Sequence, residues 1–546
     1  MNQKTLTGFL LIGAILLLWP SYNSLINPEE KNAPESPTVR SLEIQETVDT
    51  VNNASLNQGI TIEEQLVTIK NNLYTAVISS QNGGSIASFK LNEHLKRDES
   101  SLELIDSYNS NNLYISYYDI NGEEVLLDGN WYYQDTKQDF LLDDKNTTAT
   151  LVFSKDLNGS TISKTLTFYY NQYNIDIDAG LQGLRPYTLD SQYSLTWEGG
   201  LISSEGSQDL MFQEGLVGQS GNIESFRAGR SGFFGSSNIS SEKESKQFTG
   251  NSDFLGYRTK YFGVFLVPQK TDIVSLTKYG VNERAAVDLR FSQNINFTKT
   301  TLFFGPLEFT AIKELGVGIE EKILGWQWLY SISWIVYSVM AWMFGLIPNY
   351  GVVVILFAIL IKSITYPLMA KQLRSSKKMQ EISPLLNQIK IKYKNNPTLQ
   401  QQKMAALFQE HKINPLAGCL PILIQMPVLM AVFMVFRNTI EFRGQPFMFW
   451  INDLSSADTL FTVGTLSINV LPFLMAGSMY YTMKMSSGSM APSADPAQEA
   501  TQKMMKYMFP GMMFFLFYSF PSGLNLYYFC FNVLQIVQQK LINKEK

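Results

Sequence analysis

The chemistry that this sequence offers is electrostatic and centres on one cation in an apolar stretch. Lys362 interrupts a run that extends from Gly351 to Ala370. A second apolar run contains Gln425. A third carries polar residues at a spacing of i, i+3, i+7 and i+10, namely Asn525, Tyr528, Asn532 and Gln535. That spacing predicts one face of a helix. Ionisable groups are costly in lipid, so these residues predict a functional site inside a membrane.

The residues alone leave the role of Lys362 open. It lies about 18 Å from the start of its predicted helix and about 12 Å from the end, at about 1.5 Å per residue. A lysine can extend part of that distance towards water and have no further task. The amides and Tyr528 favour instead a water-filled cavity or a buried polar network, because exposing such a face to lipid would be prohibitive.

Five apolar stretches after residue 346 predict membrane spans, at about 350–370, 416–436, 466–484, 505–520 and 523–540. The last two are separate because Met504–Leu541 would extend more than about 50 Å as one helix, against a hydrocarbon core of about 30 Å. Pro521-Ser522-Gly523 supplies the turn between them. The segment 486–502 is predicted to be a polar loop.

Residues 371–415 predict a cytoplasmic helical hairpin that is broken at Asn395-Asn396-Pro397. The segment holds nine Lys or Arg residues against two Glu, and a basic loop beside apolar spans is typical of the cytoplasmic side. A nucleic-acid-binding loop is the alternative, and the flanking spans argue against it.

The segments before the spans predict an anchor, a linker and a surface helix. Residues 1–26 contain a short apolar run, which indicates an uncleaved signal anchor rather than a cleaved signal peptide. Residues 27–59 are acidic and rich in Pro, Asn and Ser, which is typical of a flexible linker. Residues 311–346 combine apolar residues at helical spacing with many Trp and Tyr, which predicts a helix at the membrane interface. A span over Leu329–Leu346 is the alternative.

Residues 60–310 are typical of an all-β domain. Short alternating runs such as Leu66-Val-Thr-Ile-Lys70 recur between Asn-Gly, Gly-Gly and Asp-Gly turns, with no helical pattern between them. This pattern predicts an antiparallel sandwich. Its place between the first span and the later ones puts it outside the cytoplasm.

Composition excludes several kinds of site. The two cysteines, Cys419 and Cys530, both lie in apolar runs, which argues against a disulfide framework. With two histidines and no metal-ligand spacing, we expect no metal, and without a Gly-rich phosphate loop we expect no nucleotide or other cofactor.

Three motifs carry a resemblance to a known family. They are Lys362-Ser-Ile-Thr-Tyr-Pro-Leu368 with the basic hairpin behind it, the segment NPLAGCLPILIQMP that ends at Pro427, and Phe520-Pro-Ser-Gly-Leu-Asn-Leu-Tyr-Tyr528. Together they resemble the YidC family of membrane protein insertases. Earlier segments resemble landmarks of the periplasmic domain of its Gram-negative members: Asn82-Gly-Gly-Ser-Ile86, Lys260-Tyr-Phe262 and Gly305-Pro-Leu-Glu308.

The resemblance implies a multi-domain membrane protein. Its α-helical polytopic membrane domain, 311–546, would hold a five-helix insertase core, with the N-terminal anchor helix preceding a periplasmic all-β supersandwich that resembles sugar-mutarotase folds. The protein would lie in the bacterial inner membrane with both termini cytoplasmic. It would make no bond, so we expect no enzyme activity.

The resemblance also assigns the polar residues to a hydrophilic groove that attracts a substrate's polar tail. Many bacterial members have Arg where this chain has Lys362, which keeps the charge and loses the bidentate geometry. The substrate's apolar helix would slide along an apolar face before it enters lipid; the candidates are Met426, Met430, Phe433, Met508, Met512 and Phe515. Core packing is the alternative for each Met.

The expected partners are nascent membrane proteins, the lipid bilayer and the Sec translocon. The basic hairpin could receive the ribosome or a targeting receptor, whereas the tail after Lys540 is short for ribosome tethering. Direct nucleic-acid binding is not expected. Two rival functions are a secondary transporter or channel with an ion site at Lys362, and an anchored periplasmic enzyme that modifies carbohydrates.

Overall fold

The computed structural model describes residues 62–96, 100–106, 110, 112–157, 159–227, 230–231, 237–238, 242–281, 284–411, 420–463, 466–487 and 496–544. The predicted anchor, the predicted linker and Cys419 lie outside these residues. The described chain divides into two compact units. One contains 376–411, 480–487 and 496–512, and the other contains the remaining described residues.

The first part of the larger unit is a β-domain. In chain order its described strands are β1 Leu66–Lys70, β2 Tyr74–Ser79, β3 Ser85–Leu95, β4 Ser101–Glu103, β5 Tyr114–Tyr118, β6 Glu124–Leu126, β7 Tyr132–Tyr133, β8 Asp139–Leu141, β9 Thr148–Leu157, β10 Ser160–Tyr169, β11 Asn174–Gly180, β12 Gln192–Trp197, β13 Glu214–Gln219, β14 Asn222–Arg227, β15 Arg230–Ser231, β16 Ser237–Asn238, β17 Glu244–Thr249, β18 Phe254–Arg258, β19 Phe262–Pro268, β20 Ile273–Val281, β21 Arg284–Asn294 and β22 Lys299–Pro306.

These strands form three large sheets. Their orders are β14-β13-β18-β19-β22-β11-β10-β9-β7, β17-β20-β21-β12-β5-β6 and β4-β3-β2-β1-β8, and β15 pairs with β16. The pairing is antiparallel except between β1 and β8. In strand β10 buried residues alternate with half-buried ones, because successive side chains of a strand point to opposite faces of the sheet.

The helical region follows the β-domain. Its described helices are α1 Phe309–Glu314, α2 Ile319–Ile323, α3 Tyr330–Leu346, α4 Tyr350–Lys392, α5 Pro397–Glu410, α6 Leu420–Asn438, α7 Leu471–Ser487, α8 Pro496–Phe517 and α9 Ser522–Lys544. Strands β23 Thr459–Val463 and β24 Leu466–Asn469 lie between α6 and α7. The predicted fold class, an all-β domain joined to a helical region, is confirmed.

Length and composition identify two segments of the described chain that could cross a membrane, Gln327–Leu346 and Tyr350–Lys371. The second contains Lys362. The first coincides with the aromatic stretch for which we predicted a surface helix, with a span as the alternative.

The structure corrects the prediction of one helix over 311–346. The chain breaks between α1, α2 and α3 at Gly316, Gly318 and Gly325, whose φ angles are 69°, 82° and 111°. Glycine tolerates this left-handed conformation, which ends a helix. The apolar residues of the first two helices pack into the core of the β-domain: Ile312, Ile319 and Ile323.

The span predicted for 466–484 begins too early. Residues 466–469 form β24, which pairs antiparallel with β23, and helix α7 begins at Leu471. The carboxylate of Asp458 accepts hydrogen bonds from the backbone N–H groups of Val470 (2.9 Å) and Leu471 (2.6 Å). Because these amides have no partner inside the helix, the acceptor stabilises its start at this point.

The helix predicted for 505–520 begins earlier, within the segment that we predicted as a polar loop. Helix α8 starts at Pro496, a residue suited to the first helical turn because its missing N–H is not needed there. It ends at Phe517, before Pro521.

The predicted hairpin segment contains the end of α4 and all of α5. The chain leaves the helical conformation at 393–396, and the side chain of Asn396 caps α5 by accepting a hydrogen bond from the N–H of Leu399 at 3.1 Å. In the same unit the rings of Tyr480 and Tyr507 pack at 5.7 Å.

Candidate functional site: a buried lysine between two helices

Helix α4 carries Lys362 at a position twelve residues after its start. The Asn349 side chain accepts a hydrogen bond from the N–H of Val352 at 3.0 Å, which caps the first turn. The apolar run that follows packs on its neighbours through Val353, Val354 and Phe357. Only 2% of the Lys362 surface is exposed.

Helix α9 provides both side-chain partners of the Lys362 ammonium that the described structure shows. Lys362 Nζ donates a hydrogen bond to Gln535 Oε1 and lies 3.4 Å from the centroid of the Phe531 ring. Gln538 Nε2 donates to the backbone carbonyl of Lys362 at 2.9 Å. Gln535 Nε2 in turn lies 3.4 Å from the sulfur of Met369. The lysine is therefore held by one amide oxygen and one aromatic face.

No carboxylate in the described part of the chain forms an ion pair with Lys362. A cation–π contact and one hydrogen bond to a neutral amide compensate only part of the desolvation cost of an ammonium group. The site thus contains an ammonium group that has no carboxylate partner among the described residues.

The other predicted groove residues divide into two groups along α9. Asn532 lies one turn before Gln535, is 8% exposed, and its Nδ2 atom is buried without a hydrogen-bond partner. Asn525 lies ten residues before Gln535, about 15 Å along the helix. Its Nδ2 donates to the carbonyls of Phe517 (3.1 Å) and Phe520 (3.4 Å), so it fixes the turn between α8 and α9.

Tyr528 and Gln425 also lie away from direct contact with the lysine. The Tyr528 ring meets Phe517 edge-on at 5.1 Å and is half-buried. Gln425 is half-buried in α6. The structure therefore brings Gln535 to Lys362 and places Asn532 on the adjacent turn, whereas Asn525 has a structural contact of its own.

Further buried polar atoms on α9 lack a hydrogen-bond partner. Besides Asn532 Nδ2, they are Asn525 Oδ1, Tyr527 Oη and Gln538 Oε1. Buried polar atoms without partners are rare in proteins, and each costs about 1–3 kcal/mol. Of these, Asn532 Nδ2 and Gln538 Oε1 lie within one turn of Gln535, so this part of α9 can bond to further polar groups.

The candidate slide residues differ in exposure. Met426, Met508, Met512 and Phe515 are exposed, whereas Met430 and Phe433 are half-buried. Phe433 packs on Phe520 at 5.6 Å. Exposure on a helix of apolar composition fits contact with lipid or with a substrate, and Phe433 also has a packing role.

Sequence reasoning missed Phe531 and Gln538. Gln538 follows Gln535 by three residues, so helical spacing could have added it to the polar face. Nothing in the sequence singles out Phe531 among the other aromatic residues of the same apolar segment. Only the contact with Lys362 distinguishes it.

A second polar region lies between the β-domain and the loop after α6. It is a cavity of about 790 Å³ whose lining includes Glu308, Glu441 and Arg443. Tyr337 Oη donates to Glu441 Oε1 at 2.7 Å, and burial raises the pKa of Glu441 against the effect of this hydrogen bond. Among the described residues no group of three potential ligands could hold a metal ion.

Comparison with known proteins covers nearly the whole chain. The family model described as the YidC periplasmic domain matches residues 66–343, and the model of the 60Kd inner membrane protein matches 342–546. The membrane protein insertase YidC of Chlorobium limicola is 31% identical over 580 residues, which cover 100% of this chain and 95% of that protein. The corresponding protein of Chlorobaculum parvum is 30% identical over 585 residues, with coverage of 100% and 94%.

A solved structure, described as an active YidC insertase with its first transmembrane domain resolved, is 18% identical. The match covers 87% of this chain and 92% of that one, with a TM-score of 0.34.

Proposed function

This chain belongs to the YidC family of membrane protein insertases, and on that premise we propose that it inserts nascent membrane proteins through a polar groove that contains Lys362. One observation carries the proposal. The Lys362 ammonium is buried against Gln535 and Phe531, without a carboxylate among its described partners. Such a cation attracts an acidic group that enters the groove, because the new pair offsets a desolvation cost that the folded chain already bears.

The step at Lys362 is an exchange of hydrogen-bond partners. A substrate tail with Asp or Glu replaces the neutral amide oxygen of Gln535 by a carboxylate oxygen, so a hydrogen bond that is charged on the donor alone becomes one that is charged on both sides. Asn532 Nδ2 and Gln538 Oε1 are buried and unpaired, so they can bond to the polar backbone of the same tail.

Release is driven by lipid and by the membrane potential. Leu, Ile, Phe and Val each gain about 0.3–0.6 kcal/mol at the centre of an inserted helix, so a helix of about 20 apolar residues is strongly favoured in lipid. Moving one negative charge outward gains about 2.3 kcal/mol per 100 mV. The exposed Met426, Met508, Met512 and Phe515 supply a slide that accepts many sequences, since methionine adapts its shape.

The rest of the proposal concerns arrangement and partners. The β-domain lies in the periplasm, both termini are cytoplasmic, and the basic hairpin of 371–415 receives the ribosome or a targeting receptor. The protein acts alone or together with the Sec translocon, without bond chemistry. The proposal also includes the anchor and the linker with the ranges that we predicted for them. The predicted spans are included with the helix bounds that the structure gives.

A depletion–rescue experiment tests the role of the cation. Lys362→Arg, Lys362→Ala and Lys362→Glu are expressed in a strain whose own insertase is switched off, with protein levels checked. We expect growth with Arg and failure with Ala and Glu. Lys313→Ala is the matched control, because Lys313 is an exposed lysine of helix α1, outside the groove and the basic hairpin.

Growth with all three Lys362 variants would remove the electrostatic step and leave the apolar slide. A protease-protection assay on a substrate with an acidic N-terminal tail adds a direct readout. Insertion that is lost for the acidic tail and kept for a neutral tail assigns Lys362 to the recognition of charge. A transporter with an ion site at Lys362 predicts no such difference between the two tails.

A further inference from the structure

The loop between α6 and α7, residues 439–470, exposes large apolar side chains at two places. Met448 and Phe449 are 47% and 85% exposed, and Leu460 and Phe461 are 48% and 53% exposed. Neither 445–451 nor 459–470 contains a charged residue. We name these places the Phe449 tip (Met448 and Phe449) and the Phe461 tip (Leu460 and Phe461).

The backbone holds the Phe449 tip in a tight turn. The N–H of Phe447 donates to the carbonyl of Ile451 at 2.9 Å, and the N–H of Ile451 donates to the carbonyl of Met448 at 3.3 Å. Phe449 has a φ of 60°, which is uncommon for a bulky residue and costs free energy. Its ring stacks on Trp450 at 6.0 Å and points away from the core.

The Phe461 tip is part of the β23–β24 hairpin. The strands pair antiparallel, with Thr462 opposite Ser467, and Thr459 Oγ1 donates to Asn469 Oδ1 at 2.8 Å across the base. Leu460 and Phe461 are adjacent in β23, and both are exposed. The hairpin therefore exposes both large apolar residues of β23, Leu460 and Phe461.

One buried carboxylate connects the two tips. Asp458 Oδ2 accepts a hydrogen bond from Trp450 Nε1 at 3.1 Å, next to the Phe449 tip. The same oxygen accepts from the N–H groups of Val470 and Leu471, at the base of the hairpin and the start of α7. Asp458 is 2% exposed. Both tips are thus fixed to the beginning of one helix.

Two more contacts hold the loop from other sides. Arg443 Nε donates to Glu205 Oε1 at 2.8 Å, and Arg443 Nη1 donates to the carbonyl of Leu95 at 2.8 Å, both in the β-domain. Ser522 Oγ, at the start of α9, donates to the carbonyl of Asp453 at 2.8 Å. A loop held at three sides exposes its apolar residues as a fixed surface.

The Phe449 tip lies beside the start of the segment that could span a membrane. The Phe447 ring packs so closely on Gly351 that a Cβ atom there would lie 1.9 Å from Phe447 Cδ2. Gly351 belongs to the first turn of α4, where Tyr350–Lys371 begins. Just before α4, Leu346 and Ile347 are also exposed. The Phe449 tip therefore lies next to the start of this candidate span.

We propose that the Phe449 and Phe461 tips insert into the lipid bilayer surface at the end of the helices that contacts the β-domain. Fixed apolar surface is unfavourable in water and commonly marks a membrane or protein contact. Lipid is the occupant because the tips carry no charge, present Phe and Leu as segments that insert at the membrane surface do, and the Phe449 tip lies next to the start of a candidate span. By occupying the lipid surface next to α4, the tips would loosen the packing of the leaflet on the β-domain side, through which a substrate tail leaves.

Quenching by labelled lipid tests the proposal. Phe449→Cys and Phe461→Cys are introduced separately into the full chain with Cys419→Ser and Cys530→Ser, labelled with a nitrobenzoxadiazole fluorophore, and reconstituted into phosphatidylcholine–phosphatidylglycerol vesicles. Asn452→Cys is the matched control, because Asn452 is exposed in the same loop, and Leu126→Cys is an exposed apolar control in the β-domain. We expect lipids with a nitroxide near the headgroup to quench both tip labels at least threefold more than either control.

Other outcomes contradict the proposal. Quenching of the tip labels equal to that of Asn452→Cys would place the tips in water. A blue-shifted emission without lipid quenching, which rises with the ratio of protein to lipid, would assign the tips to contact with a second copy. Either result leaves the role of Lys362 untouched, because the rescue experiment depends on a different part of the chain.

Discussion

Two fully buried lysines, one in each domain, solve the same physical problem differently. Lys164 lies in β10 with none of its surface exposed, and Nζ donates to the backbone carbonyls of Leu113 (2.6 Å) and Asn82 (3.3 Å). Lys362 lies in α4 and depends on the side chains of Gln535 and Phe531. Backbone acceptors are positioned by the fold, whereas an amide and a ring can rotate away.

The difference shows that burial of a charge is not by itself evidence of function. Asn82 and Leu113, whose carbonyls bind Lys164, both have a φ of 56°, so the lysine supports two strained turns. That is a structural task with no exchangeable partner. Lys362 keeps partners that a substrate could replace, and this property, more than its burial, supports a functional role.

The largest expected effect concerns Lys164 and pH. Burial lowers the pKa of Lys164 from 10.5 to about 7, so the unfolded chain binds one more proton between these values. The free energy of unfolding of the β-domain should therefore rise with pH by about 1.4 kcal/mol per unit between pH 7 and 10.5, about 4 kcal/mol from pH 7 to 10, and this gain is lost progressively as pH falls from 10.5 to 7. Urea unfolding between pH 7 and 10 measures it.

Lys164→Met is the reference for that measurement, because many other groups titrate above pH 7. At each pH, the free energy of unfolding of the variant is subtracted from that of the natural chain. Trp131 and Trp197 are fully buried in the β-domain, whereas Trp326, Trp328, Trp334 and Trp342 are exposed, so the fluorescence shift reports unfolding of the β-domain. A difference that does not change with pH would show that Lys164 titrates normally.

A glycine pair tests whether the acceptors of Lys164 are rigid. Gly83 follows Asn82 with a φ of 71°, and an added Cβ would lie 2.8 Å from the Trp131 ring. Gly122 has a φ of 82° and no atom within 4 Å of its Cβ position. We expect Gly83→Ala to lower the free energy of unfolding by about 2–3 kcal/mol, and Gly122→Ala by about 1 kcal/mol, because only the first adds a clash to the conformational cost.

Urea midpoints at one pH decide the comparison. Equal losses for the two variants would mean that the turn at Gly83 gives way around the new methyl group. The acceptors of Lys164 would then be as adjustable as those of Lys362, and the contrast between the two lysines would weaken.

The sequence also contains a pattern that predicts the burial of Lys164. In β10 the buried alternation Ile162, Lys164, Leu166 and Phe168 places the lysine on the inner face, so period-2 reasoning could have identified it. The polar face of α9 was foreseen from spacing, and Gln535 does contact Lys362. The spacing did not show which of these residues lie at the level of Lys362. Asn525 lies on the same face as Gln535 but about 15 Å from it along the helix axis.

Boundaries were harder to predict because apolar residues suit several structures. Leu466 and Ile468 fit the start of a span as well as a strand, and the decision depends on Asp458, which binds the amides at the true start of α7. The exposed Phe449 and the ring of Phe531 follow no pattern, because their roles come from contacts between distant segments.

Lys362→Met separates function from stability in the helical region. Replacing a poorly compensated cation by an apolar residue of similar length should leave the thermal stability of the detergent-solubilised chain unchanged or raise it by about 1 kcal/mol. Insertion of a substrate with an acidic tail should fall about tenfold, which corresponds to about 1.4 kcal/mol. Protease protection in proteoliposomes measures the insertion. A large loss of stability would make Lys362 a structural residue like Lys164.

The smallest expected effect belongs to Phe531, whose ring lies 3.4 Å from Lys362 Nζ. Phe531→Leu keeps the apolar volume and removes the cation–π contact, which is worth about 0.5–2 kcal/mol. The ammonium should then spend more time away from α9, so acylation of Lys362 by an amine-reactive reagent should rise about threefold. Mass spectrometry quantifies the modified peptide, with the exposed Lys371 as internal standard. Phe531→Trp should act in the opposite direction, because indole binds cations best. If neither variant changes the reactivity of Lys362, its side-chain partners are as permanent as the carbonyls around Lys164, and the exchange of partners at the groove loses its basis.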